Sequence, residues 1–202
     1  MLAALALASC LAGGPVPSVA ILIDDIGYRL DTDLAALGLA GDYSYAILPH
    51  TPHGRRFARA AAALGRDSLL HMPMEAVRHN RLLGPGALLR GMDGTTIGDT
   101  LDAALTSLPS VIGLNNHMGS RLTADANAMR ALAAGVARRP GLFFVDSRTT
   151  ARTVAADAMR ARGVPTLERD VFLDNVLRPG AIRRQLARLV ERARRQGRAL
   201  GI

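Results

Sequence analysis

From residue 19 onward, short apolar runs alternate with longer stretches whose apolar positions recur at helical spacing. The runs VAILI (19–23), YSYAIL (43–48), SLLH (68–71), VIGLN (111–115), LFFVD (142–146), VPTLE (164–168) and ALGI (199–202) have the length and composition of strands. The stretches at about 31–40, 54–65, 95–107, 124–138, 151–162 and 179–197 read as helices. Thr123 precedes ADANAMRALAAGVARR as a start signal, and Gly135 or Gly141 marks its end. Pro179 suits the first turn of the last helix, where its missing N–H costs nothing. Seven strands alternating with six helices imply an α/β fold with a parallel sheet covered by helices, either doubly wound or a barrel of fewer than eight units. Residues 76–94, AVRHNRLLGPGALLRGMDG, break this rhythm and read as a long loop or flap on one rim.

The 202 residues suit one domain, and 49% hydrophobic with 21% charged residues is the composition of a folded chain. The formal charge of +8 raises the question of nucleic acid. All of the cationic residues are arginines scattered among alanines, and the one dense run, RRQLARLVERARRQGR (183–198), contains no aromatic residue for base stacking. A solvated helix face explains that run, and no nucleic-acid partner is expected. With one cysteine no intramolecular disulfide can form. Residues 1–18 read as a signal or lipoprotein-like leader, in which Leu7-Ala8-Ser9-Cys10 resembles a lipobox, although no charge precedes Asp24. The expectation is a barrel domain over 19–202 in the periplasm or cell envelope, with membrane attachment only through a lipid at Cys10.

In parallel α/β folds chemistry gathers where strands end. Asp24 and Asp25 follow the first strand; His50 and His53 the second; His71 and Glu75 the third; Asn115, Asn116, His117 and Ser120 the fourth; Asp146, Ser147 and Arg148 the fifth; Arg169 and Asp170 the sixth. Four of the five histidines fall at such ends. Carboxylates and imidazoles together are a ligand set for zinc or a similar divalent ion. In an extended chain adjacent side chains point opposite ways, so one aspartate of the pair could ligate while the other handles water. Each residue also has a structural alternative: a lone His71 could be a core histidine, Asp146 a helix cap paired with Arg148, and His50 and His53 surface residues.

The segments ILIDDIGY, LLHMPME, GLNNHMGSRLT, FFVDSRTT and RDVFLDN, in this order, resemble the divergent polysaccharide deacetylases, relatives of the metal-dependent carbohydrate esterases. The resemblance implies an irregular (β/α) barrel of about seven units, polysaccharide deacetylase-like. It implies Asp24 as general base and Asp25 as metal ligand. It also implies His71 as a second ligand, with the third position shared between His117 and Glu75, because Glu75 stands where ordinary members carry a histidine. Asn115, Asn116, Asp146, Arg148 and Asp170 become candidates for substrate, oxyanion or supporting contacts. Ordinary members also place a histidine acid after the last strand, whereas this chain stops at Leu200-Gly201-Ile202, so the expectation is a truncated end or a missing acid. Two functions follow: a zinc-dependent hydrolase of an acetylated envelope glycan, or a non-catalytic glycan-binding or scaffold protein retaining the barrel.

Overall fold

A computed structural model describes residues 16–202. Residues 1–15 of the expected leader, with Cys10, lie outside the described residues. Strands β1 (Ser18–Ile26), β2 (Ser44–Ile47), β3 (Ser68–Met74), β4 (Gly113–Met118), β5 (Phe143–Asp146), β6 (Thr166–Glu168) and β7 (Arg198–Gly201) form one sheet. Their order is β6-β5-β4-β3-β2-β1-β7 and every pairing is parallel. Helices α1 (Leu30–Leu37), α2 (Gly54–Ala63), α3 (Gly94–Ser107), α4 (Ala126–Ala137), α5 (Ala155–Arg160) and α6 (Pro179–Gln196) fill the crossovers.

The two sheet edges nearly meet. After β6 the chain turns to β7, where the N–H groups of Asp170 and Val171 donate to Leu200 O at 2.9 and 3.2 Å, and Leu173 N–H donates to Ile202 O at 2.7 Å. A nearly closed barrel of seven parallel strands results, which decides between the two architectures that periodicity left open. One face of the strands points to the helices: Leu70, Met72 and Phe144 pack with Phe57, Leu101 and Leu132. The other face fills the barrel, where Leu22, Ala46, Leu69, Val145 and Ile202 form a separate buried cluster. Gly113 contributes no side chain there; a Cβ at this position would stand 2.8 Å from the Phe143 ring and its carbonyl oxygen. The apolar plug closes the barrel below the strand ends, so inward residues near those ends face an open mouth.

Several boundaries differ from the sequence reading. The cap of α4 is Asp125, whose Oδ1 accepts the N–H groups of Asn127 and Ala128. Thr123 instead lies in a 3-10 turn (Leu122–Ala124), buried, with its hydroxyl donating to Gly119 O. The helix expected over 151–162 shrinks to Ala155–Arg160, because the Asp146 carboxylate takes the Thr153 hydroxyl and holds the preceding residues in a turn. Helix α6 starts with Pro179 at its first turn and ends at Gly197 with φ 82°, and only Leu189 and Ala193 of it are buried, as a solvated arginine face requires.

The Ile-Gly pair after the two aspartates is a corner. Gly27 adopts φ 132°, donates its N–H to Asp33 Oδ2 at 2.9 Å, and accepts His53 N–H at 3.0 Å. A Cβ there would meet Thr51 Oγ1 at 2.2 Å and Thr51 Cβ at 2.9 Å. Gly27→Ala therefore combines a disfavoured φ with a clash, and chemical denaturation should show a loss of about 2–4 kcal/mol. A loss under about 0.5 kcal/mol would show that the corner relaxes freely.

Candidate metal centre

Asp24 and Asp25 sit within β1, where a regular pleat would send them to opposite faces. The pairing of β1 with β2 slips between Ile23 and Ile26, and Asp25 takes φ 61°. This bulge corrects the expectation that the two side chains point opposite ways. Both carboxylates turn to the same imidazole: Asp24 Oδ2 lies 3.6 Å and Asp25 Oδ1 3.3 Å from His71 Nε2. His71 comes from β3 and is buried, while Asn115 and His117 share the inward face of β4, with His71 paired to Asn115 across the two strands.

Hydrogen bonds on the outer side of each histidine set which nitrogen faces inward. Asn115 donates Nδ2 protons to Asp24 Oδ1 and to Ser147 Oγ, both at 3.2 Å. Its Oδ1 is therefore the group 2.9 Å from His71 Nδ1, so Nδ1 carries the proton and Nε2 presents a lone pair. His117 Nε2 lies 3.4 Å from Leu82 O, which can only accept, so His117 Nδ1 is the unprotonated nitrogen.

With both histidines neutral in these tautomers, three acceptors converge with no donor between them. His117 Nδ1 is 3.2 Å from His71 Nε2 and 3.0 Å from Asp25 Oδ1, and the third edge is 3.3 Å. Such a triangle is repulsive unless a cation sits against it. A tetrahedral site with bonds of about 2.0–2.1 Å has ligand separations of about 3.3 Å, so the donor set and its spacing both fit zinc. Asp25, His71 and His117 thus form a possible three-residue metal site.

In the metal-free protein a proton does part of that work. Hydrogen bonds from His117 and His71 hold the Asp25 carboxyl well below its ordinary value, against the opposing effect of burial. For His71 burial alone would act downward, but Asp24 and Asp25 outweigh it and the net shift is upward. Burial pushes Asp24 up to about 6, with Asp25 adding to the rise and His71 and Asn115 opposing it.

The remaining candidates are placed elsewhere. Glu75 accepts Arg90 N–H at 2.7 Å and pairs with Arg121 at 3.4 Å, pinning both ends of the 76–94 flap to the loop after β4. Asn116 is buried; its Oδ1 accepts Ser147 N–H and its Nδ2 donates to Met118 O, both at 2.8 Å. Asp146 accepts Arg148 N–H and the Thr153 hydroxyl, while the Arg148 guanidinium pairs with Glu168. Asp170 works at the barrel seam, accepting Leu200 N–H at 2.8 Å and pairing with Arg192 at 2.8 Å. His50, His53 and His79 do not join the cluster. Sequence reasoning assigned no role to Ser147, which supports Asn115, or to Arg169, which donates to the Ser147 and Arg148 carbonyls at 2.6 and 2.9 Å. The Leu82 carbonyl has no side-chain signature at all.

The class of protein defined here is a nearly closed parallel (β/α) barrel whose mouth carries an aspartate pair and two histidines, three of these residues forming a possible metal site. The family described as divergent polysaccharide deacetylase matches residues 21–202, and the chain belongs to that family. It is 37% identical over 184 residues to an uncharacterized protein of Haemophilus influenzae, covering 91% of this chain and 65% of that one. It is 35% identical over 200 residues to the uncharacterized protein YibQ of Escherichia coli K12, covering 99% and 61%. The chain thus spans less than two thirds of the length of these relatives. The crystal structure of uncharacterized protein ATU2773 from Agrobacterium tumefaciens C58 superimposes with a TM-score of 0.87 at 25% identity, over 95% of this chain and 78% of that one.

Asp24 makes the metal-free fold sensitive to pH. Its folded-state pKa of about 6 exceeds the ordinary 3.8, so between these values the folded protein keeps a proton that the unfolded chain releases. The associated stability is present below pH 3.8 and is lost as pH rises through about 6. The side chain is 23% exposed, and the loss should be of order 2 kcal/mol. Urea titrations of chelator-treated protein between pH 4 and 7 should show this decline, and Asp24→Asn should flatten it. An unchanged slope in the variant would assign the effect to another group.

Proposed function

We propose that the protein is a zinc-dependent hydrolase that removes acetyl groups from an acetylated polysaccharide of the cell envelope. The observation supporting this most directly is the triangle of inward lone pairs on Asp25, His71 and His117, with a fourth group, Asp24, beside it. Family membership supports the acetylated glycan as the substrate class. The same reading puts the protein in the periplasm, where the leader and Cys10 would deliver and tether it.

Zinc at the triad would supply a Lewis acid that acidifies water and polarises the acetyl carbonyl. The chain's own residues do the rest. Asp24 Oδ2 faces the triad while its Oδ1 is held by Asn115, which leaves one oxygen free to take a proton from the attacking water. In the metal-free protein burial raises that carboxyl to about 6, which leaves it ionised at neutral pH. Asn115 coordinates the arrangement: its Oδ1 sets the His71 tautomer and its Nδ2 orients Asp24. Asn116 and Arg148, candidates for oxyanion contacts by sequence, are engaged with Met118 O and Glu168.

Elemental analysis of protein purified without chelator should find near-stoichiometric zinc, lost in Asp25→Ala, His71→Ala and His117→Ala. Asp24→Asn should keep the zinc and lower acetate release from an acetylated oligosaccharide by at least about 100-fold. No metal in folded protein after incubation with zinc would overturn the hydrolase reading and leave a binding barrel. Asn115→Ala removes no ligand, yet competition with a chelator should show zinc affinity reduced about 10–100-fold. Unchanged affinity would mean that Asn115 only fills space.

A further inference from the structure

An open cleft of about 520 Å³ lies between the 76–94 flap and the loop that leaves β4, lined by Val77, Arg90, Ser120, Arg121, Asp125 and Arg152 among others. Its volume is that of a small-molecule site. The cleft and the candidate metal centre draw on the same two segments. Ser120 and Arg121 follow His117 on the same strand exit, and the flap that carries Val77 and Arg90 supplies the Leu82 carbonyl to His117.

Its lining is unevenly charged. Three guanidinium groups face one carboxylate, and that carboxylate is already used: Asp125 Oδ1 caps α4 and its Oδ2 meets Arg90 Nε at 3.2 Å. Arg90 engages Asp125 through Nε, and Arg121 reaches Glu75 through one nitrogen, at 3.4 Å, so each keeps unused N–H donors. Both side chains remain about half exposed, at 57% and 44%. The Arg152 side chain is exposed and has no ion pair or hydrogen bond among the described residues. Ser120 Oγ accepts Val77 N–H at 3.0 Å, which leaves its hydroxyl proton to donate. Paired guanidinium forks with a hydroxyl are the donor set for an oxyanion, a carboxylate or a phosphate.

We propose that this cleft is an anion subsite, taking a carboxylate or phosphate carried by the glycan on which the metal centre at the same rim would act. The proposal rests on the glycan-hydrolase reading for the identity of the ligand's neutral part. It makes the preferred substrate a charged polysaccharide rather than a neutral one.

Calorimetry on the zinc-loaded full chain tests it with three matched probes: an acetylated oligosaccharide bearing a carboxylate, the same sugar with that carboxylate amidated, and the sugar bearing a phosphate monoester instead. At least one charged probe should bind about tenfold tighter than the amide, and the tighter of the two identifies the oxyanion. Arg152→Gln, which breaks no contact within the fold, should remove most of that preference while zinc content stays unchanged. Arg90→Gln should act in the same direction. Equal affinity for all three probes, no binding of any at millimolar concentration, or a preference untouched by Arg152→Gln would overturn the proposal. Competition by a single-stranded DNA oligomer at comparable concentration would overturn it in favour of a nucleic-acid groove. Acetate release without charge preference would retain the hydrolase and discard the subsite. Charge preference without zinc or turnover would do the reverse.

Discussion

Two consecutive carboxylates can face one imidazole only if the strand that carries them stops being a regular strand. The site depends on that constraint. In β1 the pleat holds as far as Ile23, then the register with β2 slips and Asp25 enters the left-handed region at φ 61°. A non-glycine residue held there costs of order 1 kcal/mol or more, and it persists only where surrounding contacts over-determine it. Gly27 turns the chain immediately afterwards, and its N–H is taken by the buried Asp33. The strain sits beside groups that gain from it, since the same rotation brings Asp25 Oδ1 to two histidine nitrogens.

Much of the architecture was legible because parallel β/α folds write their period plainly. Strands buried on both faces read as apolar runs, and the intervening helices show their own spacing. The barrel's closure was not legible. It depends on residues 170–173 pairing with β7 and on Asp170 accepting Leu200 N–H, contacts between segments some 30 residues apart that no local pattern encodes. The start of α4 was misplaced by two residues for a related reason. Thr123 and Asp125 are equally good caps in isolation, and the hydrogen bond of the Thr123 hydroxyl to Gly119 O is what removes one of them from the competition.

The chemistry was legible as a set of residues at strand ends, and less so as roles. Asn115 and Asn116 are indistinguishable by sequence. Strand alternation sends Asn115 inward to His71 and Asp24, and Asn116 outward to the backbone of Ser147 and Met118. Glu75 has a spacing from His71 that admits it as a ligand, and only the placement of Arg121 and the Arg90 amide shows that its oxygens are already used. Arg148 likewise looked available until Glu168 was found beside it.

With Glu75 given to the flap, the third inward donor comes from His117 on β4 rather than from the end of β3. The candidate ligands therefore come from three strands, and β1 and β4 are not neighbours, being separated by β2 and β3 in the sheet. A cation held by Asp25, His71 and His117 would tie opposite parts of the barrel mouth together. Metal affinity and fold stability then become linked quantities, because the unfolded chain offers no such triangle. The flap joins the same linkage through the Leu82 carbonyl on His117 and through Glu75 on Arg121. A substrate group that rearranged the Arg90 and Arg121 contacts would therefore act on the segment that orients His117. In this fold the proposed anion subsite and the candidate metal centre share one flap, which would give a physical reason for recognition and chemistry to be built on the same rim.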